Sequence, residues 1–255
     1  MKQSGNTILI TGGSGGIGAA LAQRFHDAGN AVIVTGRRRA ALEDVCAGRP
    51  RMSPVELDID SPEAIADVAR RVVAEHPALN VLVNNAGIMR FEALDRRRDL
   101  ADAEATVTTN LLGPIRMTDA LIDHLAAQPD AAVINVTSGL AFVPLVPTPT
   151  YSATKAALHS YTLAMRDALK GKVEVIELAP PAVQTELTPG QSSRQGYLPL
   201  EEFIDEVMGL FATVPTPPEI LVERVGFLRF AERENRFDAT LVQLNEMARK
   251  AREGQ

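Results

Sequence analysis

The sequence contains few of the residues that build disulfide frameworks or membrane spans. Its 255 residues include one cysteine, Cys46, and no tryptophan. A single cysteine excludes an intrachain disulfide and suits a reducing compartment. The sequence has no run of about 18 apolar residues, the minimum for a membrane-spanning helix. The start, MKQSGNTILI, also lacks the charged-then-apolar pattern of a signal peptide. We therefore expect a cytoplasmic protein without membrane insertion.

Excess positive charge is also missing. The chain has 26 Lys and Arg residues against 32 Asp and Glu residues, which gives a net charge of −6. This balance provides no electrostatic footprint for nucleic acid. His26, His76 and His124 have no neighbouring cysteine or second histidine at ligand spacing, so we predict no metal site. The composition is ordinary for a soluble globular protein.

Short apolar runs alternate with longer helical patterns through the first two thirds of the chain. The runs that indicate buried strands are 7–11, 31–35, 53–57, 80–84, 131–136 and 173–179. The patterns that indicate helices are Ile17–Ala28, Ala40–Cys46, Pro62–Glu75, Ala101–Ala127 and Ser152–Leu169. This order predicts an α/β fold with a doubly wound parallel sheet, a three-layer Rossmann type. We expect one domain over residues 1–255, with a helical extension at about 219–252 that breaks near Asn235.

The first strand continues directly into the glycine-rich sequence TGGSGGIG. Gly12, Gly16 and Gly18 would allow a tight turn, a close approach to a pyrophosphate and close helix packing. The N-terminus of the following helix offers free N–H groups to phosphate. The alternative is a merely flexible turn between strand and helix. The position at the first strand favours nucleotide binding.

The second strand ends in the sequence VTGRRR. Enzymes that bind NAD usually place an acid there for the ribose, whereas here Arg37, Arg38 and Arg39 follow Gly36. Arginine forks match the geometry of a phosphate. The alternative is a solvated basic helix start. We expect NADP(H) as the preferred cofactor, with NAD(H) as the other possibility.

Tyr151 and Lys155 lie four residues apart in a predicted helix, and Ser138 precedes them. Side chains at this spacing share one helix face. An ammonium beside a phenol favours the phenolate and lowers its pKa, so the tyrosine can exchange a proton with a bound oxygen. The alternative for this pair alone is an ordinary amphipathic helix.

With these motifs in order, the chain resembles the short-chain dehydrogenase/reductase family over roughly residues 6–187. The segments that carry the resemblance are TGGSGGIG (11–18), LDI (57–59), NNAG (84–87), Asn110 in TTNLLGP, Ser138 and YSATK (151–155). The run around YSATK is most similar to a narrower group, the DltE-like oxidoreductases. That group takes its name from an operon for D-alanyl esterification of teichoic acids.

The resemblance implies four catalytic residues. Tyr151 would be the general acid/base, and Lys155 would lower its pKa and bond the nicotinamide ribose. Ser138 would hydrogen-bond the substrate oxygen, and Asn110 would hold a water that links Lys155 to solvent.

The cofactor would lie along the carboxyl ends of the strands. Asp58 and Ile59 are expected beside the adenine, and Val183 and Thr185 beside the nicotinamide. The residues assigned to the cofactor are Gly12, Ser14, Gly16, Ile17, Gly18, Arg37, Arg38, Asp58, Ile59, Asn84, Ala86, Gly87, Tyr151, Lys155, Pro181, Val183 and Thr185.

The chain departs from the family pattern at three places. Pro180-Pro181 replaces the usual Pro-Gly after the sixth strand, and Gly15 replaces a basic residue common in NADP-preferring members. The usual seventh strand near the carboxyl end is not visible, so we expect it to be absent or atypical. The resemblance implies a homodimer through the helices with Asn110 and Tyr151, and leaves the tetramer of many relatives open.

The sequence thus predicts an oxidoreductase that transfers hydride between NADP(H) and a carbonyl or alcohol substrate. Two alternatives remain: a catalytically silent nucleotide-sensing protein of the same fold, and an accessory protein in teichoic acid D-alanylation. The expected substrate pocket, formed by 89–94, 140–150 and 188–200, is mainly apolar, which favours a moderately hydrophobic small molecule.

Overall fold

Parallel strands form the centre of the molecule, in the order β3-β2-β1-β4-β5-β6-β7. The computed structural model describes residues 1–253. Its strands are β1 (Thr7–Thr11), β2 (Ala31–Gly36), β3 (Met52–Glu56), β4 (Leu79–Asn84), β5 (Ala132–Val136), β6 (Glu174–Leu178) and β7 (Glu219–Ile220). Every strand pair is parallel. The predicted doubly wound sheet is confirmed.

Helices cover both faces of this sheet. They are α1 (Gly16–Asp27), α2 (Arg39–Cys46), α3 (Pro62–Glu75), α4 (Ala101–Val107), α5 (Gly113–Ala126), α6 (Pro149–Ala168), α7 (Leu200–Phe211), α8 (Gly226–Arg229) and α9 (Phe237–Glu253). Among the described helices, none is both long and apolar enough to cross a membrane. The expected span of 1–255 also includes residues 254 and 255, which lie outside the described residues.

Alternating side chains of each central strand fill two separate cores. Ile8 and Ile10 of β1 pack on one face with α1 and α7, and Leu9 packs on the other with α3, α5 and α6. Fully burying an aliphatic side chain of this size contributes about 1.5–3 kcal/mol. Burial on both faces explains why the strand sequences are continuously apolar.

Local sequence signals set several of the element boundaries. At the start of α3, Ser61 Oγ accepts a hydrogen bond from Ala64 N at 3.1 Å, and Pro62 occupies the first helical position. A serine cap followed by proline suits the free N–H groups of a first turn. The predicted span of this helix, Pro62–Glu75, agrees with the structure.

The carboxyl-terminal part differs from the sequence prediction in two respects. A seventh strand is present, but Glu219–Ile220 is only two residues long. Its short ladder pairs Leu178 with Ile220, so tertiary pairing defines it where local periodicity could not. The helical pattern predicted from residue 219 was therefore wrong for its first residues. The predicted break is found at Asn235, which has a φ of 55°, and α9 follows it.

Helix α7 was not predicted from the sequence, although its apolar residues recur at the spacing typical of a helix. Phe203, Ile204, Val207 and Phe211 are buried at helical spacing. Phe211 packs edge-to-face on Phe25 of α1, with 5.5 Å between ring centroids. This helix covers the sheet face opposite α6 and so completes the third layer.

Candidate active site

A cavity of about 570 Å³ lies at the carboxyl ends of the central strands. Strand β1 has β2 on one side and β4 on the other, so the strand order reverses at β1 when the chain crosses from β3 to β4. Open α/β sheets bind ligands at such a reversal of strand order. The cavity extends from the glycine-rich turn after β1 to Tyr151 on α6, so it joins the two motifs that carry the predicted chemistry.

Most of the predicted site residues line this cavity. They are Gly12, Ser14, Gly16, Ile17, Gly18, Arg37, Arg38, Ile59, Ala86, Gly87, Ser138, Tyr151, Lys155, Pro181, Val183 and Thr185. Three predicted residues, Asp58, Asn84 and Asn110, do not line it.

The glycine-rich turn is too crowded for side chains at three positions: Gly12, Gly18 and also Gly13, where a Cβ atom would lie 2.7 Å from Val34 Cβ. Gly12 has a φ of 67°, and a Cβ atom there would lie 2.7 Å from Ala86 Cα. A Cβ on Gly18 would overlap Gly12 O and Asn85 Nδ2. The backbone can therefore follow this path only with glycine at Gly12 and Gly18. The turn delivers the free N–H groups of the first turn of α1 to the cavity, where they can bind phosphate.

Two residues that hold this turn were absent from the predicted site. Asn85 Nδ2 donates to Thr11 O at 2.9 Å and to Gly12 O at 3.1 Å. Thr11 Oγ1 accepts from the backbone of Asn85 and of Ala86. Both residues line the cavity. The second asparagine of the NNAG sequence was the available signal, since an asparagine after a strand can bond backbone groups of the neighbouring strand.

Arg37 and Arg38 lie exposed at the cavity edge beside the glycine-rich turn. Within the described residues, no ion pair involves either of them. Arg39, by contrast, donates from Nε to Glu43 at 2.6 Å and does not line the cavity. Two free guanidinium groups at this edge can bind an anion such as a phosphate ester.

The other end of the cavity contains Ser138, Tyr151 and Lys155, all buried. Ser138 follows β5, and its hydroxyl group lowers the pKa of the nearby Tyr151 phenol. Lys155 Nζ donates to Val136 O at 2.8 Å and lies 5.6 Å from the centroid of the Tyr151 ring. The spacing of four residues on α6 thus presents phenol and ammonium to one side of the cavity.

Burial dominates the electrostatics of this pair. It raises the pKa of Tyr151 to about 12, and the hydrogen bond with Ser138 offsets part of that rise. Burial also lowers the pKa of Lys155 to about 8. The spacing of Tyr151 and Lys155 predicts that the ammonium lowers the pKa of the phenol, whereas burial raises that pKa in the structure. Desolvation of the phenolate exceeds the attraction of an ammonium that is bonded to Val136 O.

A scan against family models matches residues 6–196 to the family described as short chain dehydrogenase. The chain belongs to the short-chain dehydrogenase family. A Bacillus subtilis protein, "Uncharacterized oxidoreductase DltE", is 38% identical over 251 residues, which are 96% of this chain and 98% of that relative. The similarity predicted from the YSATK region is therefore confirmed. This short-chain dehydrogenase is an NAD(P)-dependent oxidoreductase.

Solved structures agree with this family. A short chain dehydrogenase from Burkholderia cenocepacia in complex with NADP is 28% identical, with a TM-score of 0.83 over 96% of this chain and 99% of that one. An alcohol dehydrogenase from Thermococcus sibiricus in complex with 5-hydroxy-NADP is 25% identical. Its TM-score is 0.74, over 85% of this chain and 95% of that one.

In this short-chain dehydrogenase, Asn110 lies in a π-helical turn, Thr108–Leu112, between α4 and α5. Its amide accepts from Ile88 N and donates to Ile88 O, both at 2.8 Å. The sequence predicted one continuous helix here. The wider π-helical turn instead directs Asn110 towards the segment after β4. Such turns are frequent at functional sites. The observed bonds fix the backbone beside Gly87, next to the cavity.

Asn84 and Asp58 also lie outside the cavity lining. Asn84 Nδ2 donates to Thr118 Oγ1 at 3.0 Å and to Asn135 Oδ1 at 2.9 Å. This buried amide therefore ties β4 to α5 and β5. Asp58 is exposed and accepts from Asp60 N at 3.1 Å. The neighbouring Asp60 lines the cavity instead.

The segment 188–199, whose polar and Gly/Ser-rich sequence is typical of a mobile loop, is tied to the segment after β6. Gln191 Nε2 donates to Val183 O at 2.8 Å, and Leu198 N donates to Ala182 O at 2.9 Å. Both side chains are buried. Just before Pro181, Pro180 O accepts from Gly139 N at 2.8 Å, which ties the end of β6 to the segment after β5. Tertiary hydrogen bonds thus fix a segment that local composition made look flexible.

His159 lies one helical turn after Lys155, outside the cavity lining. Its Nδ1 is 2.7 Å from Glu177 Oε2, and Glu177 Oε1 accepts from Thr137 Oγ1 at 2.6 Å. The carboxylate of Glu219 lies beside these groups. Its Oε1 accepts from Arg229 Nε at 2.9 Å, and its Oε2 accepts from Arg229 Nη2 at 3.0 Å. Each of these three side chains therefore has a hydrogen-bond or ion-pair partner within the described residues.

Lys155→Met is expected to change how stability depends on pH. The ordinary pKa of 10.5 falls to about 8 in the folded state, so the unfolded chain binds more protons between pH 8 and 10.5. The wild-type free energy of unfolding therefore rises through this window, on the order of 3 kcal/mol in total. Relative to the wild type, Lys155→Met should have its highest free energy of unfolding at neutral pH, as measured by chemical denaturation. This advantage over the wild type should shrink as pH rises. The exposed Lys170→Met is the control, and a parallel pH response in both variants would contradict the assignment.

Proposed function

We propose that this chain transfers hydride between NADP(H) and a carbonyl or alcohol substrate, with Tyr151 as general acid/base. One observation carries the proposal: a single cavity joins the crowded glycine-rich turn to the buried group of Ser138, Tyr151 and Lys155. The residues at each end match what the reaction needs, namely phosphate binding at one and proton transfer at the other.

The residues present fit a phosphorylated dinucleotide. Gly12 and Gly18 leave the turn without side chains where a pyrophosphate would approach, and Arg37 and Arg38 supply free cations at the second strand. Bound NADP(H) supplies the hydride chemistry at its nicotinamide ring. The relatives of known structure in complex with NADP and 5-hydroxy-NADP support this choice of cofactor. NAD(H) remains the competing cofactor in the test below.

The side chains at the catalytic end manage the proton. In the reducing direction, the protonated phenol of Tyr151 donates its proton to the substrate oxygen as negative charge develops there. A phenol with its pKa raised to about 12 is in the correct form to do so at neutral pH. Ser138 bonds the same oxygen. In the oxidising direction, Lys155 and the positive charge of an oxidised nicotinamide lower the pKa of the phenol.

Asn110 and Lys155 are proposed to connect the site to solvent. A Cβ atom on Gly87 would lie 3.3 Å from Asn110 Oδ1 and 3.7 Å from Lys155 Nζ, so both atoms lie beside this glycine. A water between them would pass a proton from the ammonium outwards, as the family resemblance implies. The backbone bonds of Asn110 to Ile88 keep this route open beside the cavity.

Replacing Arg37 and Arg38 together by alanine is expected to remove the preference for NADP(H). A hydrogen bond to a charged group contributes about 1.5–3 kcal/mol. The ratio of kcat/KM with NADPH to kcat/KM with NADH should therefore fall about ten- to a hundredfold. Initial rates with each cofactor measure this ratio.

Arg39→Ala is the matched control, because Arg39 is the adjacent arginine and is paired with Glu43. It should leave the ratio unchanged. An unchanged ratio in the double variant would refute the assignment of the 2′-phosphate to this edge.

Stopped-flow detection of NADPH oxidation with a broad panel of carbonyl compounds tests the function itself. Turnover of at least one compound is expected. Tight cofactor binding with no turnover of any compound would favour the nucleotide-sensing alternative. A role in D-alanylation of teichoic acids predicts a change in surface D-alanine content in a deletion strain, and unchanged content would dispose of it.

We further propose a cytoplasmic homodimer formed through the outer faces of α5 and α6. Leu163 of α6 is 46% exposed, although it is a large aliphatic residue. Burial of such a side chain at an interface is favourable. Sedimentation velocity of wild type and Leu163→Glu tests the dimer, and cell fractionation tests the location.

A further inference from the structure

Glu92 lies in the irregular segment between β4 and α4, outside the cavity lining. Its carboxylate is nevertheless buried, with a side chain 3% exposed. Its ion-pair partner, Arg98, is 2.9 Å away and 27% exposed. Burial of a carboxylate is costly unless hydrogen bonds and an opposite charge compensate it. The location of those hydrogen bonds therefore indicates what the buried charge does.

The hydrogen bonds of Glu92 go to the residue that precedes Tyr151. Thr150 N donates to Glu92 Oε1 at 3.1 Å, and Thr150 Oγ1 donates to Glu92 Oε2 at 2.9 Å. The backbone N of Glu92 also donates to Pro147 O at 2.9 Å. One residue thus holds both the end of the loop after β5 and the first turn of α6.

Helix α6 lacks a cap of its own. Its N-cap residue, Thr148, makes no side-chain capping bond, and the first turn contains no acidic residue. The first-turn N–H groups of a helix have no partner within the helix. A negative charge at that end is also favourable for the helix dipole. Glu92 supplies both a hydrogen-bond acceptor and a negative charge at this end of α6, from a segment 58 residues earlier in the chain.

We propose that Glu92 is a positioning residue that caps the catalytic helix and fixes Tyr151 relative to Ser138. It acts through Thr150 and does not touch the reacting groups. Because Glu92 comes from the segment that follows the NNAG turn, it also links the position of Tyr151 to the cofactor end of the cavity. This inference rests on the proposed role of Tyr151 in proton transfer.

A second contact on the same loop provides a comparison. Asn245 of α9 accepts from Val146 N at 2.8 Å and donates to Pro144 O at 3.2 Å. These bonds hold the middle of the loop and leave the start of α6 untouched. Asn245→Ala should therefore loosen the loop without moving Tyr151.

Two measurements on the full-length protein test the proposal. Hydrogen exchange should become faster across residues 147–152 in Glu92→Ala and remain close to wild type in the exposed control Glu104→Gln. With a carbonyl substrate, Glu92→Ala should lower kcat by about ten- to a hundredfold, since small misplacements of a catalytic group have effects of this size. The Kd for NADPH should change little, because Glu92 lies outside the cavity lining.

Milder variants keep the test decisive if Glu92→Ala folds poorly. Glu92→Gln retains one acceptor for Thr150 N and should recover part of kcat. Thr150→Val removes one of the two bonds and should lower kcat, while Thr150→Ser should retain it. A decrease in kcat with Asn245→Ala as large as that with Glu92→Ala would overturn the positioning role.

Unchanged exchange across residues 147–152 in both Glu92 variants would also overturn it, as would wild-type kcat despite faster exchange. If the wild type binds NADPH but turns over no carbonyl, the proposed function fails. The exchange data then still decide whether Glu92 fixes the start of α6.

Discussion

Tyr151→Phe is expected to lower kcat by about a hundred- to ten-thousandfold, the range that general acid catalysis contributes. The phenylalanine ring fills the same buried space and removes only the hydroxyl group. The Kd for NADPH and the melting temperature should therefore remain near the wild-type values. Single-turnover kinetics with saturating NADPH measure the effect on the chemical step.

Tyr161→Phe is the matched control for this prediction. Tyr161 lies ten residues further along the same helix, α6, and packs against the core on the far side from the cavity. Its variant should keep wild-type kcat. Activity retained in Tyr151→Phe would refute the assigned mechanism. If wild type and Tyr151→Phe both bind NADPH but neither turns over a substrate, the result would support the nucleotide-sensing role.

Gly18→Ala is expected to weaken cofactor binding and to destabilise the fold together. The new methyl group would overlap Gly12 O and Asn85 Nδ2, so the glycine-rich turn must open. Overpacking of this kind costs typically about 1–3 kcal/mol of stability. The Kd for NADPH, measured by fluorescence titration, should rise by more than about tenfold because the phosphate-binding N–H groups move. Thermal unfolding measures the loss of stability.

The same turn offers its own control. Gly15 has extended backbone angles, with a φ of 173°, and a Cβ there would meet nothing within 4 Å. Gly15→Ala should therefore preserve stability and leave the turn closed. If the two alanine variants weakened NADPH binding equally, close packing around Gly18 would not be the reason for the glycine.

The sheet could be predicted because its strands are buried on both faces. Runs such as TILIT and AVIVT are continuously apolar, and their predicted bounds differ from the observed strands by at most one residue. The two-residue β7 could not be predicted, since it exists only through its pairing with β6. The π-helical turn at Asn110 was hidden for a similar reason, because its sequence is compatible with an ordinary helix.

The same distinction between local spacing and tertiary contacts applies to the residues of the candidate site. Motif spacing identified the residues of the glycine-rich turn, Tyr151 and Lys155, because spacing within one element fixes which side chains share a face. It did not identify Asn85, whose role depends on the neighbouring strand. It also assigned Asn84 to the cofactor, whereas its amide bonds across to α5 and β5.

By itself, the sequence determined the order of the strands from β1 to β6, the position of the glycine-rich turn and the spacing of Tyr151 and Lys155, since each depends on local backbone geometry. Only the tertiary structure decided the electrostatics of that pair, because burial raises the pKa of Tyr151 and lowers that of Lys155. It also revealed that Glu92 caps the helix of Tyr151. Desolvation and long-range hydrogen bonds arise between segments that are far apart in the chain, so no local pattern records them.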